Sequence, residues 1–383
     1  MGTMRKAGLA ALAVGSVLAL GGCNLGVKVV NYDTWPTSLA GLADLDGDDD
    51  LDALTIGSGI GAFLNDGDGA LDGEVVEDIE TPTMEDHALG DVDGDGHLDL
   101  VAMGAASVYL ALGDGEGGFG QPQQIEQVSS VTTVGLGDLD GDDDLDLITT
   151  SYTYGLQVRP GDGDGGFGSP TAFDIGSAES FSGYDLEVVD LDDDGALDVV
   201  MTGLGFDDGG NQAFVDVLLG DGDGAFAPYA LYPGAEGATN GPGLSLGDVD
   251  EDGDLDAVTG NTFVEAFSVL AGDGEGGFGP SVEVPTVGEP LDTALGDIDG
   301  DDHLDVVSVQ LGRGAAVVHF GDGEGGFDES HDIDSGGLAA SRVAVGDLDG
   351  DGRDDVVTGT NGRDGDGSVV GVSLNRLRGR QHG

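Results

Sequence analysis

One motif recurs seven times along the chain and limits what it can fold into: a short apolar run, then D-x-D-x-D-x-x-L-D, then a second apolar run. The copies begin at Asp44, Asp91, Asp138, Asp190, Asp248, Asp297 and Asp347, at steps of 47, 47, 52, 58, 49 and 50 residues. A chain of 383 residues would ordinarily divide into two or three domains, but repeats of this length pack beside one another and form one continuous unit. A second motif, G-D-G-x-G-x-F, punctuates the same unit at 113–119, 161–167, 220–226, 272–278 and 321–327, with a looser form at 66–71.

Gly-rich segments between β-type runs read as hairpin turns, and Gly or Asp interrupts every run before a helix could develop, so the fold is predicted to be all-β. The second unit parses into four strands at residues 85–90, 98–104, 107–113 and 122–128. Four-stranded antiparallel sheets repeated radially at this period make a β-propeller, here with seven blades. The last unit supplies only three strands, 342–346, 355–359 and 368–374, before the chain ends among Arg376, Arg378 and Arg380. Residues 26–32 form an unassigned strand ahead of the first unit. That N-terminal strand is expected to complete the last blade and close the ring, leaving no unpaired edge there.

The two motifs together resemble the FG-GAP and VCBS repeats of integrin alpha-subunit propellers and of many bacterial surface proteins, over nearly all of residues 26–375. The resemblance implies that the Asp loop joins the first and second strands of each blade and binds one calcium ion. It does not imply a particular activity, because one fold hosts many functions.

The spacing supports the metal independently. Calcium takes six to eight oxygens, and carboxylates at alternate positions of a tight turn converge on one point while a further Asp closes the shell. In the second copy Asp91, Asp93 and Asp95 are the alternating candidates, the carbonyl of His97 the main-chain one, and Asp99 the closing one. The corresponding carboxylates are Asp44, Asp46, Asp48 and Asp52; Asp138, Asp140, Asp142 and Asp146; Asp190, Asp192, Asp194 and Asp198; Asp248, Asp250, Asp252 and Asp256; Asp297, Asp299, Asp301 and Asp305; and Asp347, Asp349, Asp351 and Asp355. About seven calcium ions, one per blade, are expected. An EF-hand fits worse, because Thr55, Ala102 and Thr149 stand where its Glu should be. Nonapeptide β-helix repeats would recur far more often.

Two departures qualify the pattern. The sixth loop position, where a sharp turn favours Gly, holds Gly96, Gly195, Gly253 and Gly352 but also Asp49, Asp143 and Asp302, and Asp tolerates left-handed backbone better than most residues. In the seventh copy Asp354 replaces the apolar residue before the closing Asp, so that blade is expected to pack less well.

Asp and Glu number 76 against 11 Lys and Arg, a formal charge of -65, and Arg159 is the only basic residue between Lys28 and Arg313. Phosphate binding needs clustered Lys and Arg, so a nucleic-acid partner is excluded. Seven divalent ions would bring the charge to -51, still strongly acidic, for solubility or for a salty or calcium-rich medium. Asp114 and Asp162 in the glycine turns read as turn formers or as further cation ligands.

Residues 1–23 read as an export signal: Arg5 and Lys6, an apolar run at 7–20, then Leu20, Gly21, Gly22 and Cys23, the only cysteine. This resembles the bacterial lipoprotein signal, which implies cleavage before Cys23 and its lipidation. The expectation is a single propeller over 24–383, exported and lipid-anchored close to a membrane of the cell envelope, on its periplasmic or cell-surface side, and monomeric. No disulfide within the chain is possible.

Strand parity places the Asp loops and glycine turns on one face and the remaining connections on the other. The latter vary in length at 177–183, 204–212 and 233–243, either as spacers or as a recognition surface, with Phe181, Tyr184, Phe206 and Asn240 as candidates. Trp35, the sole tryptophan, is expected between the first and last blades. No nucleophile elbow, zinc-type His pair or phosphate loop is present. The functional expectation is a non-enzymatic binding or adhesion module for a protein or glycan, the alternative a carbohydrate-active enzyme using the loop-rich face.

Overall fold

The structure, a computed structural model, describes residues 28–375 apart from 35–36, 58, 78–82, 105–106, 127–130, 152–153, 176–181, 208–209, 237–242, 335–339 and 361–367. It is a seven-bladed β-propeller of four-stranded antiparallel blades, with no helix among the described residues. Blade 1 is Thr37–Ala43, Asp52–Gly57, Ile60–Asn65 and Leu71–Glu77; blade 2 is Asp86–Gly90, Asp99–Gly104, Ser107–Ala111 and Gln123–Glu126. Blade 3 is Val131–Gly137, Asp146–Ser151, Gly155–Arg159 and Thr171–Phe173; blade 4 is Ser182–Val189, Asp198–Asp207, Gly210–Leu218 and Ala230–Glu236. Blade 5 is Leu244–Gly247, Asp256–Asn261, Ala266–Leu270 and Val282–Pro285; blade 6 is Pro290–Gly296, Asp305–Gln310, Ala315–Phe320 and Glu329–Asp334. Blade 7 takes Arg342–Gly346, Asp355–Thr360 and Ser368–Leu374 from the end of the chain, and Lys28–Thr34 pairs antiparallel with Ser368–Leu374 as its outer strand.

The second strand of each blade carries apolar residues on both of its faces because both are covered. In Asp99–Gly104, Leu100 and Ala102 pack toward blade 1, while Val101 and Met103 pack toward blade 3. The same alternation gives one buried cluster at each boundary, and the last joins Leu39, Ala53 and Phe63 of blade 1 to Val357, Val370 and Val372 of blade 7. Burying one such Val, Leu or Phe side chain contributes about 1.5–3 kcal/mol, so each boundary is held by several strong contacts. The glycine before an Asp loop leaves room for the neighbouring blade: a Cβ at Gly90 would sit 2.5 Å from Leu145 Cδ1, and one at Gly346 would sit 2.6 Å from Leu51 Cδ1.

Candidate metal centres

Each Asp motif is the loop between the first and second strands of its blade. Two left-handed residues turn it. The sixth position has φ 89° at Gly96 and 72° at Asp49, Asp143 and Asp302, so Asp does accept this conformation. The fourth is also left-handed, at Gly47, Gly94, Gly141, Gly300 and Gly350 and at the non-glycine Asp193 (φ 56°) and Glu251 (φ 57°). The first Asp of the loop gathers its backbone: Asp91 Oδ1 accepts from Gly94 N at 2.8 Å and Asp95 N at 3.1 Å, and Oδ2 from Gly96 N at 2.9 Å. Asp44, Asp138 and Asp297 do the same in their loops.

With the backbone so folded, the alternating carboxylates converge. Oxygens of Asp44, Asp46 and Asp48 lie within 4.8 Å of one another, as do those of Asp138, Asp140 and Asp142, of Asp190, Asp192 and Asp194, of Asp91, Asp93 and Asp99, and of Asp248, Asp250 and Asp256. At the third position Oδ1 of Asp46, Asp93 and Asp140 is buried and accepts no hydrogen bond from the protein. Burial, then the neighbouring Asp48 and Asp44, raise the pKa of Asp46; burial, then Asp142 and Asp138, raise that of Asp140. A buried oxygen without a donor, among carboxylates that repel one another, fits a hard divalent cation.

The ninth-position Asp does a second job. Asp99 is fully buried, accepting Val92 N at 2.9 Å on one oxygen and Gly113 N at 2.8 Å on the other. It thereby clamps its own loop to its own glycine turn, and Asp52, Asp146, Asp198, Asp256, Asp305 and Asp355 make the equivalent pair of bonds. Burial raises these groups even against their N–H donors, Asp52 and Asp355 to about 6 and Asp305 to about 7. Each carboxylate oxygen has two lone pairs, so accepting an N–H leaves one for a cation.

The seventh loop departs from the expectation of looser packing. Asp354 Oδ2 accepts Asp297 N at 2.9 Å and its own N–H donates to Asp297 O at 3.1 Å, so this residue bonds to blade 6 where other blades pack a leucine. His303, at the seventh position of its loop, places Nδ1 2.5 Å from Glu251 Oε1 in the loop before it, and this bond raises its pKa.

The glycine turns dock on the loops of the preceding blade, a relationship that the motif spacing alone does not reveal. Gly117 N donates to Leu45 O at 3.2 Å, Gly165 N to Val92 O at 3.0 Å, Gly224 N to Leu139 O at 3.0 Å and Gly325 N to Val249 O at 3.3 Å. The acceptor is always the second loop residue, whose side chain is buried in the boundary cluster.

Sequence reasoning also missed the axial channel. The first strands line a cavity of about 880 Å³ containing Asp86, His87, Asp185, Glu187, Asp292 and Arg342. Asp86 Oδ2 accepts Val134 N at 2.9 Å, Asp185 Oδ2 accepts Leu244 N at 2.8 Å and Asp292 Oδ2 accepts Val343 N at 3.0 Å, each from the next blade. Burial pushes Asp185 up to about 8 although Arg342 opposes the rise. All three Asp sit five residues before a loop, where the other copies read Leu39, Thr133, Gly243 and Arg342; a polar residue there in five of the seven copies was the available signal.

On the opposite face the middle hairpin of blade 4 is the longest, with strands of 10 and 9 residues paired out to Asp207↔Gly210. Of the residues singled out there, Phe181 and Asn240 lie outside the described residues, as do the side chains of Tyr184 and Phe206. Cys23 and Trp35 also lie outside them.

A family model described as FG-GAP-like repeat matches residues 91–149, 138–201, 190–259 and 297–358. No curated protein matches the sequence. Among solved structures, the chain is similar to the BP39L lectin from Burkholderia pseudomallei, with TM-score 0.60 and 15% identity over 89% of this chain and 97% of that one. It is similar to an Agrocybe aegerita lectin that recognises non-reducing terminal N-acetylglucosamine, with TM-score 0.56 and 17% identity over 81% of both chains. A third similar structure is BBS1N in complex with ARL6DN, with TM-score 0.55 and 11% identity over 91% of this chain and 94% of that one. At these identities the likeness is one of fold.

Proposed function

The chain belongs to the FG-GAP-like repeat family, and from that premise we propose that it is a surface-anchored, calcium-binding propeller acting as a non-enzymatic binding or adhesion module for protein or glycan partners. The observation that carries the metal reading is the buried, donorless Oδ1 of Asp46, Asp93 and Asp140 amid converging carboxylates. In each loop the first, third and fifth Asp, the seventh carbonyl and the ninth Asp would hold one ion. The ion would supply positive charge that relieves carboxylate repulsion and fixes the loop. The loops thus serve the scaffold, and recognition belongs to the other face, where the hairpin of blade 4 rises above its neighbours. That two similar structures are lectins and another sits in a protein complex agrees with a binding role on this fold. Lipidation at Cys23 would hold the disc near a membrane, several acyl chains giving stable anchoring.

The test is an array of glycans and envelope proteins probed with the protein, with and without calcium. Retention on a defined glycan or protein in calcium is expected, and no retention on either array rejects the binding reading. Released sugar product would replace it with an enzymatic one. Cys23→Ser should move the protein from the membrane fraction to the soluble one.

A further inference from the structure

We propose that blades 5 and 6 carry, on the face opposite the Asp loops, a docking patch for a polypeptide segment that presents an apolar side chain beside Lys or Arg. This rests on the binding-module reading and gives it a place and a ligand chemistry.

Phe263 is the starting point. It occupies the turn between Asp256–Asn261 and Ala266–Leu270, has φ 70°, and is 54% exposed. A bulky residue in left-handed backbone is strained, and glycine would take the position freely. Its ring gains little from burial in return. Strain and exposure together at an aromatic side chain point to recognition.

Phe263 is not alone. Val287, in the connection from blade 5 to blade 6, is 61% exposed, and Leu311, in the middle turn of blade 6, is 44% exposed. Hydrogen bonds stitch the three segments into one surface: Thr262 Oγ1 to Pro290 O at 3.3 Å, Thr286 N to Glu265 O at 3.0 Å, Leu311 N to Glu289 O at 2.8 Å, and Arg313 Nη1 to Val287 O at 2.8 Å. The three exposed apolar side chains thus stand on segments bonded to one another.

Charge selects the occupant. Arg313 is committed, since its Nη2 lies 3.0 Å from Asp332 Oδ2 while Nη1 holds Val287 O. Glu265 and Glu289 then leave the patch negative, within a chain of formal charge -65. A second copy would bring the same charge against it and be repelled. A neutral glycan would bring no positive charge to meet the two carboxylates. A basic, apolar peptide matches both properties.

The experiment uses the full chain in calcium-containing buffer and a synthetic peptide of alternating Leu and Lys, followed by fluorescence anisotropy. Binding is expected, weakened at least tenfold by the double change Phe263→Ser with Leu311→Ser. Peptides alternating Ser with Lys, or Leu with Glu, should bind at least tenfold more weakly than the first. Phe263→Gly guards against misfolding as the explanation: relief of strain should raise the melting temperature while binding falls. The proposal is overturned if the double variant binds the Leu/Lys peptide as well as the original protein, or if the Ser/Lys peptide binds equally. It is also overturned if the patch substitutions abolish glycan binding or self-association instead. If the arrays yield a ligand that the double variant still binds, the patch fails and the module reading stands; if they yield none, the module reading fails.

Discussion

Asn375 donates its side-chain amide to the carbonyl of Ile298, the second residue of the Asp loop in the preceding blade. At four other boundaries that carbonyl is met by a turn glycine N–H from the next blade, as Gly165 meets Val92. Asn65 makes the matching bond across the boundary between blades 7 and 1, to Leu348 O at 2.8 Å. An amide side chain therefore does the work of a glycine turn on both sides of blade 7.

Replacing Asn375 with Ala leaves a buried carbonyl without its donor, which costs about 1–3 kcal/mol. Chemical denaturation should show a loss of that size, and Asn65→Ala should behave alike. A midpoint unchanged in both variants would mean that these bonds add nothing to the joints.

Substitutions at the third and ninth loop positions should separate in chelator. Asp93→Ala deletes a carboxylate held among like charges with one oxygen donorless. In chelator it should melt at the same temperature as the original or slightly above; with calcium at 100 times Kd it should lose about 2.7 kcal/mol and one bound ion. Melting curves and metal analysis check this, and equal calcium content in the two proteins would refute the ligand role of Asp93.

Asp99→Ala strips acceptors from two backbone donors, Val92 N and Gly113 N. At about 1–3 kcal/mol for each buried group left unpaired, the cost should reach about 2–6 kcal/mol even in chelator, and in calcium the loss of a ligand should add to it. Asp99→Asn, which keeps one acceptor oxygen, should fall between. Loss confined to calcium-loaded protein would show that Asp99 acts only through the ion.

Asp216, buried in blade 4, has neither carboxylate oxygen hydrogen-bonded, and burial alone pushes its pKa up to about 7. In the unfolded chain it titrates near 4. The native state therefore holds the proton longer, and stability falls as pH rises from about 4 to about 7. At about 1.4 kcal/mol per unit the fall is at most about 4 kcal/mol. Asp216→Asn should thus melt well above the original at pH 8 and by a much smaller margin at pH 4. Equal margins at the two pH values would exclude this titration.

Much of this was legible because the repeat encodes it. Apolar runs bounded by Asp and Gly gave the strands of blade 2 within a few residues, since a strand covered on both faces must be apolar throughout and must stop where carboxylates begin. The expected strand at 26–32 lies at Lys28–Thr34, because Asp33 and Thr34 continue the pairing that the apolar pattern alone would end. What stayed hidden depends on partners remote in sequence. Asp354 looked like a flaw in its own blade until Asp297, 57 residues earlier, supplied its donor. Asp86, Asp185 and Asp292 look like ordinary strand acids until three different neighbouring blades donate to them. The fourth loop position was visible as a column of glycines, yet Asp193 and Glu251 interrupted it.

The four bonds from a turn glycine to the loop before it all run the same way round, so the disc has a direction as well as a symmetry. Damage to one loop weakens the support of the turn that follows it and leaves the turn that precedes it untouched. In an array coupled only between neighbours, such a defect spreads along one sense of rotation. Amide exchange after a change in the loop of blade 2 should accordingly quicken at the turn of blade 3 before that of blade 2, where Asp99 still holds Gly113.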